Sequence, residues 1–292
     1  DAGTLTFSTP FNVSGNTNYL VHSGFGSLEK DDSVTLNLYS DNITITTVHE
    51  RTGTASSTVH VEGTFSHLAQ DDISLIYGDS GSAIPLQKIR TSSNSLWSSA
   101  NNTITTEQTV KWIVNTISPI GNVELCAVIS DAGSGNLSMM RFESGSGWSM
   151  DWNSPNVTSP TKRSVDIAFE KLSGNAIVVY GIGTTYPQYR TFNEANATWS
   201  SNIDIFTAPP GGGTVEWVEL ASRPGSNEVA LVYSDSSSDL FTVIWNGSSW
   251  DTSNSASLET GLQSTALKCF SLAYESIHGD LLICWGHSAN DY

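Results

Sequence analysis

The chain has 292 residues, and 12 Lys+Arg against 29 Asp+Glu give it a formal charge of -17. Without clustered Lys or Arg to displace counterions from phosphates, nucleic acid and anionic lipid are excluded as partners. No apolar run approaches the roughly 18 residues of a membrane span, so membrane insertion is not expected.

Charged residues make up only 14% of the chain, while Thr, Val, Ile and aromatics supply strand preference, so the expected class is all-β. Beginning at Asp1 with no charged-then-apolar leader, the sequence reads as a mature or excised product. In chain order, residues 4–12 read as a lone strand. Residues 19–54 read as a short, diverged unit in which a strand at 34–39 is followed by the turn Ser40-Asp41. A recurring pattern then sets in.

Apolar strands at 73–77, 123–129, 176–180 and 229–233 each run into a polar turn: Gly78-Asp79-Ser80-Gly81, Ser130-Asp131-Ala132-Gly133, Gly181-Ile182-Gly183-Thr184 and Ser234-Asp235-Ser236-Ser237. A preceding strand is visible at 110–117 and 215–221, and a tryptophan turn closes each unit. Those tryptophans, Trp97, Trp148, Trp199 and Trp250, lie 51 residues apart. Residues 167–175 and 272–280 match in sequence, so the unit begins again near Phe270. Units therefore fall at 59–106, 109–158, 163–207 and 214–258, with 267–292 supplying two strands of another.

Four short strands in about 50 residues, repeated in tandem, predict a β-propeller of about five or six four-stranded blades. The expected organisation is 1–54, a closing or donor strand plus a diverged blade, and 55–292, tandem blades with the last incomplete. An unfinished blade leaves unpaired backbone groups at a sheet edge. Residues 4–12 either close the ring of their own chain or complete the blade of a neighbour.

Three motifs invite a chemical reading. Tyr77-Gly78-Asp79-Ser80-Gly81-Ser82 resembles the nucleophile loop of trypsin-like proteases, yet it occupies the turn that recurs in every unit, and turn chemistry accounts for it. Glu143-Ser144-Gly145-Ser146-Gly147-Trp148 approaches the Asp-box turn of sialidase propellers, which is itself structural. Trp245-Asn246-Gly247-Ser248-Ser249-Trp250 resembles the tryptophan turns of fucose-binding propeller lectins. That resemblance implies a sugar held by an Arg, a Glu and a Trp from the repeats. Here the strand at 240–244 carries no Arg-Glu pair, and only Arg90, Arg141 and Arg190 fall in comparable strands.

The inner strands carry Glu62, Asp166, Glu170, Glu216, Glu219 and Glu275, but nothing in the sequence pairs them as glycoside hydrolysis requires, so no catalytic residues are assigned. Their polar column reads His60, Lys111, Asp166, Glu216 and Ser271, with no shared chemistry. Trp112 and Trp217 correspond to each other and read as blade-to-blade packing. The six histidines lack metal-ligand spacing, so neither metal nor cofactor is expected. Of the three cysteines, Cys269 and Cys284 flank a hairpin expected near His278-Gly279 and would be out of register for a disulfide. Sequons begin at Asn12, Asn42, Asn101, Asn136, Asn156, Asn196 and Asn246, mostly beside turns, although 21 Asn in a Ser/Thr-rich chain produce such sequons by chance as well.

These observations suit a non-enzymatic extracellular or cell-surface propeller, structural or adhesive. Self-association would set Leu5, Phe7 and Phe11 of one subunit against Leu281, Ile283 and Trp285 of the next. The alternative is a glycan-binding propeller lectin using exposed faces of Trp112, Trp217 and Trp245. A second alternative is a propeller glycoside hydrolase.

Overall fold

Short apolar runs separated by Gly- and Asp-rich turns form antiparallel hairpins, and in the computed structural model these assemble into five sheets among the described residues. The described residues are 67–68, 72–79, 81–91, 96–121, 123–131, 135–155, 157, 159–208 and 210–288. The strand expected at 4–12 and the diverged unit at 19–54 lie outside them.

The first sheet contains β1 (His67–Leu68), β2 (Asp72–Tyr77), β3 (Leu86–Arg90) and β4 (Asn101–Asn102). The second contains β5 (Val110–Ile117), β6 (Val123–Ser130), β7 (Asn136–Glu143) and β8 (Gly147–Pro155). In the third, β9 (Val165–Phe169), β10 (Ala176–Tyr180) and β11 (Gln188–Asn193) are followed by β12 (Thr198–Trp199) and β13 (Ile203–Asp204), which both pair with β11. The fourth contains β14 (Val215–Ser222), β15 (Val229–Asp235), β16 (Leu240–Trp245) and β17 (Ala256–Glu259). β18 (Phe270–Tyr274) and β19 (Leu281–Trp285) form the fifth. Every sheet follows chain order, and the sheets occupy residues 67–102, 110–155, 165–204, 215–259 and 270–285.

First strands of successive sheets pack side by side: β5 on β9, β9 on β14 and β14 on β18. Stacking the sheets buries both faces of their second strands, which explains why these are continuous apolar runs rather than alternating ones. Every residue of β10 and β15 is buried. The alternation persists, but it divides residues between two cores. Ala176, Val178 and Tyr180 join the central cluster, whereas Ile177 and Val179 face a cluster shared with the fourth sheet. Similarly, β6 sends Leu125, Ala127 and Ile129 to the central cluster, and Cys126 and Val128 toward Ile76 of the first sheet.

Two β-bulges correct the polar column expected from sequence. The ladder of β5 slips between Val110 and Trp112, and that of β14 slips between Val215 and Trp217. Each bulge absorbs one residue, Lys111 or Glu216, and re-aims the rest of its strand. In consequence Asp166 faces Val179 and Glu219 faces Val232, each opposite the residue before the corresponding tyrosine, Tyr180 or Tyr233. Glu219, not Glu216, is therefore the structural counterpart of Asp166. The match between these two acids was hidden because a bulge shifts register without leaving a gap in the sequence.

The hairpin β18–β19 turns at Gly279 (φ 74°) and pairs Ser271 with Cys284, leaving Cys269 opposite Gly286. Cys269 and Cys284 are free thiols, and so is the buried Cys126. Among the described residues no helix is long and apolar enough to cross a membrane, and no group of three or more His, Cys, Asp or Glu could hold a metal ion.

Candidate functional site

Cross-sheet hydrogen bonds from tryptophan organise the seams. Trp148 Nε1 donates to Gln87 Oε1 of the preceding sheet at 3.0 Å, Trp199 Nε1 to Asp151 Oδ2 at 2.7 Å, and Trp245 Nε1 to Glu170 Oε1 at 2.7 Å. Nearer the axis, Trp112 and Trp217 donate forward to the carbonyls of Pro160 and Thr265, at 3.2 and 3.1 Å. Each indole thus fills apolar space and satisfies its own polar edge.

These contacts alter the standing of the three tryptophans expected to offer exposed faces. Trp112, Trp217 and Trp245 are only 9%, 5% and 4% exposed, and all three indole N–H groups are committed inward. Their faces are not open to a sugar, because the stacking of sheets requires large apolar groups at those places. Trp112 and Trp217 meet edge to face, with centroids 5.6 Å apart, although β9 lies between their strands. The packing reading of these two residues agrees with that contact.

The seam between the second and third sheets combines a different set of groups. A bulge between Met139 and Met140 leaves Asp151 as the extra residue on β8 and turns its carboxylate toward Arg141 on β7. Arg141 Nε donates to Asp151 Oδ1 and Oδ2 at 3.1 and 3.0 Å, and Trp199 shares Oδ2. Glu143, two residues along β7 on the same face, pairs with Nη1 of Arg141. Trp152 meets Trp199 edge to face at 5.6 Å, and the Arg190 guanidinium lies over the Trp152 ring, 4.3 Å from its centroid. Two guanidinium groups, two carboxylates and a pair of indoles thus converge on one seam.

The neighbouring seams lack one partner or another. Between the first and second sheets, Trp148 meets Gln87 rather than an acid. Between the third and fourth, Trp245 Nε1 bonds Glu170, whose other oxygen accepts from Ser173 rather than from a guanidinium. Arg141 and Trp199 were both visible in the repeat columns. Asp151 was not, because the acid is an Asp on the adjacent strand instead of a Glu in the same one.

Other candidate residues take varied positions. Leu5, Phe7, Phe11, Asn12, Asn42 and Asn156 lie outside the described residues. Leu281 and Ile283 are half-buried against the central core, whereas Leu282 and Trp285 are exposed and Trp285 Nε1 donates to Glu259 Oε2 at 3.2 Å. Asn101, Asn196 and Asn246 are exposed, while Asn136 is half-buried and bonds Glu107.

No family model matches the sequence, and no curated protein matches it. Among solved structures, the chain is similar to the GH93 α-L-arabinofuranosidase of Fusarium graminearum in complex with arabinobiose, with a TM-score of 0.50 and 11% identity over 75% of this chain and 73% of that one. It is similar to the BP39L lectin of Burkholderia pseudomallei, with a TM-score of 0.53 and 14% identity over 77% and 66% of the two chains. The Aleuria aurantia lectin, described as a six-bladed β-propeller with a fucose recognition mode, gives a TM-score of 0.48 and 13% identity over 65% and 57%. Identities this low speak to fold alone. The protein is a β-propeller of four-stranded blades, and that architecture leaves its function to be argued from sites.

Proposed function

We propose that the chain is an extracellular, adhesive propeller that binds a glycan at the seam between the second and third sheets. The observation that carries this reading is the convergence of Arg141, Asp151 and Trp199, three residue types from two blades, on one partly buried place. Charge-assisted hydrogen bonds from a guanidinium and to a carboxylate suit sugar hydroxyls. The indole faces offer an apolar surface to a sugar ring. One guanidinium bridges Asp151 and Glu143, so the two acids act together as fixed acceptors, an arrangement suited to binding without turnover. The similarity to lectins supports the reading at the level of fold.

A glycan array and then calorimetry test it. Arg141→Ala and Trp199→Phe are expected to weaken binding at least tenfold, while Arg223→Ala, where the fourth sheet meets the fifth, changes it less. No bound glycan at high protein concentration removes the proposal, and release of reducing sugar would reassign the protein as a hydrolase.

Self-assembly is a second reading, favoured by β19. Leu282 and Trp285 are 65% and 40% exposed there, and no described strand pairs with the far edge of β19. An added strand at that edge, from residues 4–12 of another copy with Leu5, Phe7 and Phe11 supplying the apolar contacts, would join subunits head to tail. Electron microscopy of the chain with and without residues 1–14 decides: filaments that persist after the deletion exclude this joint.

A further inference from the structure

The axis of the molecule holds polar groups that the seam does not use. A cavity of about 310 Å³ opens between β5, β9 and β14 and is lined in part by Asn115, Arg163, Asp166, Glu219 and Ser222. Its volume lies at the lower end of the range that holds small organic ligands, roughly 300–1,000 Å³. Two residues upstream of Val114 and Glu219 on the same strands, the crossed indoles of Trp112 and Trp217 fill the axis.

The two carboxylates that the β14 bulge brings into register have different tasks. Asp166 is fully engaged: Oδ1 accepts the Ile167 N–H at 2.9 Å and faces Arg163 Nη1 at 3.5 Å, and Oδ2 accepts the Leu220 N–H at 2.8 Å. Its role is to position Arg163, which is 6% exposed. Glu219 is half engaged. Its Oε1 pairs with Lys268 Nζ at 3.0 Å and accepts from Ser271 Oγ at 3.3 Å, but Oε2 is shielded from solvent and has no partner among the described residues. An acceptor left unmade in such a place costs free energy that a donor from a ligand would recover.

We infer that this axial cavity is a second binding site, separate from the seam, for a neutral polyhydroxylated ligand such as a sugar unit bearing adjacent hydroxyls. One hydroxyl donates to Glu219 Oε2 while its neighbour accepts from Arg163, so a carboxylate and a guanidinium side by side complement a vicinal diol. The charges favour a neutral ligand. Arg163 is offset by Asp166 and Lys268 by Glu219, leaving no net charge to draw an ion. Because the residues belong to β5, β9, β14 and the segment leading into β9, the site does not depend on Arg141, Asp151 or Trp199.

The test is a titration of the full chain with arabinobiose and, separately, methyl α-L-fucoside, monitored through the tryptophan indole N–H signals by NMR. Signals of Trp112 and Trp217 report the axis and that of Trp199 reports the seam. The expectation is saturable movement of Trp112 and Trp217 with at least one sugar, retained in Arg141→Ala and weakened at least tenfold in Glu219→Gln. Should Glu219→Gln fail to fold, the wild-type signals still decide. Movement of Trp199 alone overturns the axial site and leaves the seam standing; movement of Trp112 and Trp217 with Trp199 unchanged does the reverse. Glucuronate binding at the axis as tightly as the neutral sugars overturns the assignment of ligand class.

Discussion

Glu124 is a fully buried acid placed where the first sheet meets the second. Asn115 Nδ2 donates to its Oε1 at 2.8 Å, and Gln87 Nε2 reaches Oε2 at 3.5 Å while also bonding Ser74 Oγ at 2.9 Å. Desolvation raises the pKa from 4.5 to about 7, outweighing the hydrogen bonds of Asn115 and Ser74 that favour the charged form. The folded state therefore holds this proton more tightly than the unfolded chain does. The associated stability is complete below about pH 4.5, declines as pH rises toward 7, and is gone above it. A displacement of that size corresponds to on the order of 3 kcal/mol. Urea unfolding between pH 4.5 and 8 should show this decline in the wild type and a flatter profile in Glu124→Gln. Individual residues were the least legible level of the sequence. Arg141 and Trp199 stood in visible columns, whereas the acid that joins them, Asp151, depended on a bulge and, for Trp199, on a neighbouring blade.

Strands and turns were more legible, because each is dictated by residues close to it. The strand over 176–180 is found at the bounds expected, and β5 likewise. Apolar runs bounded by Gly, Asp and Ser leave little freedom of placement. Bulges are the exception: one added residue in a strand looks like ordinary sequence. The glycine-rich stretch ending at Gly213 is tightly built. Asp235 receives the Gly213 N–H at 3.0 Å on one oxygen and the N–H groups of Ser237 and Asp239 at 2.9 and 3.1 Å on the other. A Cβ on Gly213 would lie 2.6 Å from both Asp235 Cγ and the Ser237 nitrogen. Gly213→Ala should consequently cost about 1–3 kcal/mol, read as a lowered unfolding midpoint, whereas Gly212→Ala, with open space around it, should cost less.

At the scale of the molecule, the 51-residue spacing exposed the architecture because each blade must present the same apolar faces to its neighbours. Blades interact mainly with adjacent blades, so stability should be close to a sum of blade and seam contributions. Trp148 and Trp245 belong to different seams and share no partner. Replacing either with Phe leaves a buried acceptor without its donor and should cost about 1–3 kcal/mol. The double variant should lose the sum to within roughly 0.5 kcal/mol; a larger discrepancy in denaturant titrations would mean that the seams communicate. Function was less legible than fold at this level, since the repeat preserves what stacks, and the proposed sites lie where it is broken.

The forward bonds of Trp112 and Trp217 each span 48 positions, from Trp112 to Pro160 and from Trp217 to Thr265. A fastener of fixed reach makes the gene's natural unit of change a whole period. Copying one complete period reproduces an indole together with its partner, whereas a change of any other length inside 112–160 or 217–265 takes that indole out of reach of its carbonyl. Lengthening the molecule is thus tolerated in steps, and each new step arrives free to lose its inherited side-chain chemistry and acquire its own.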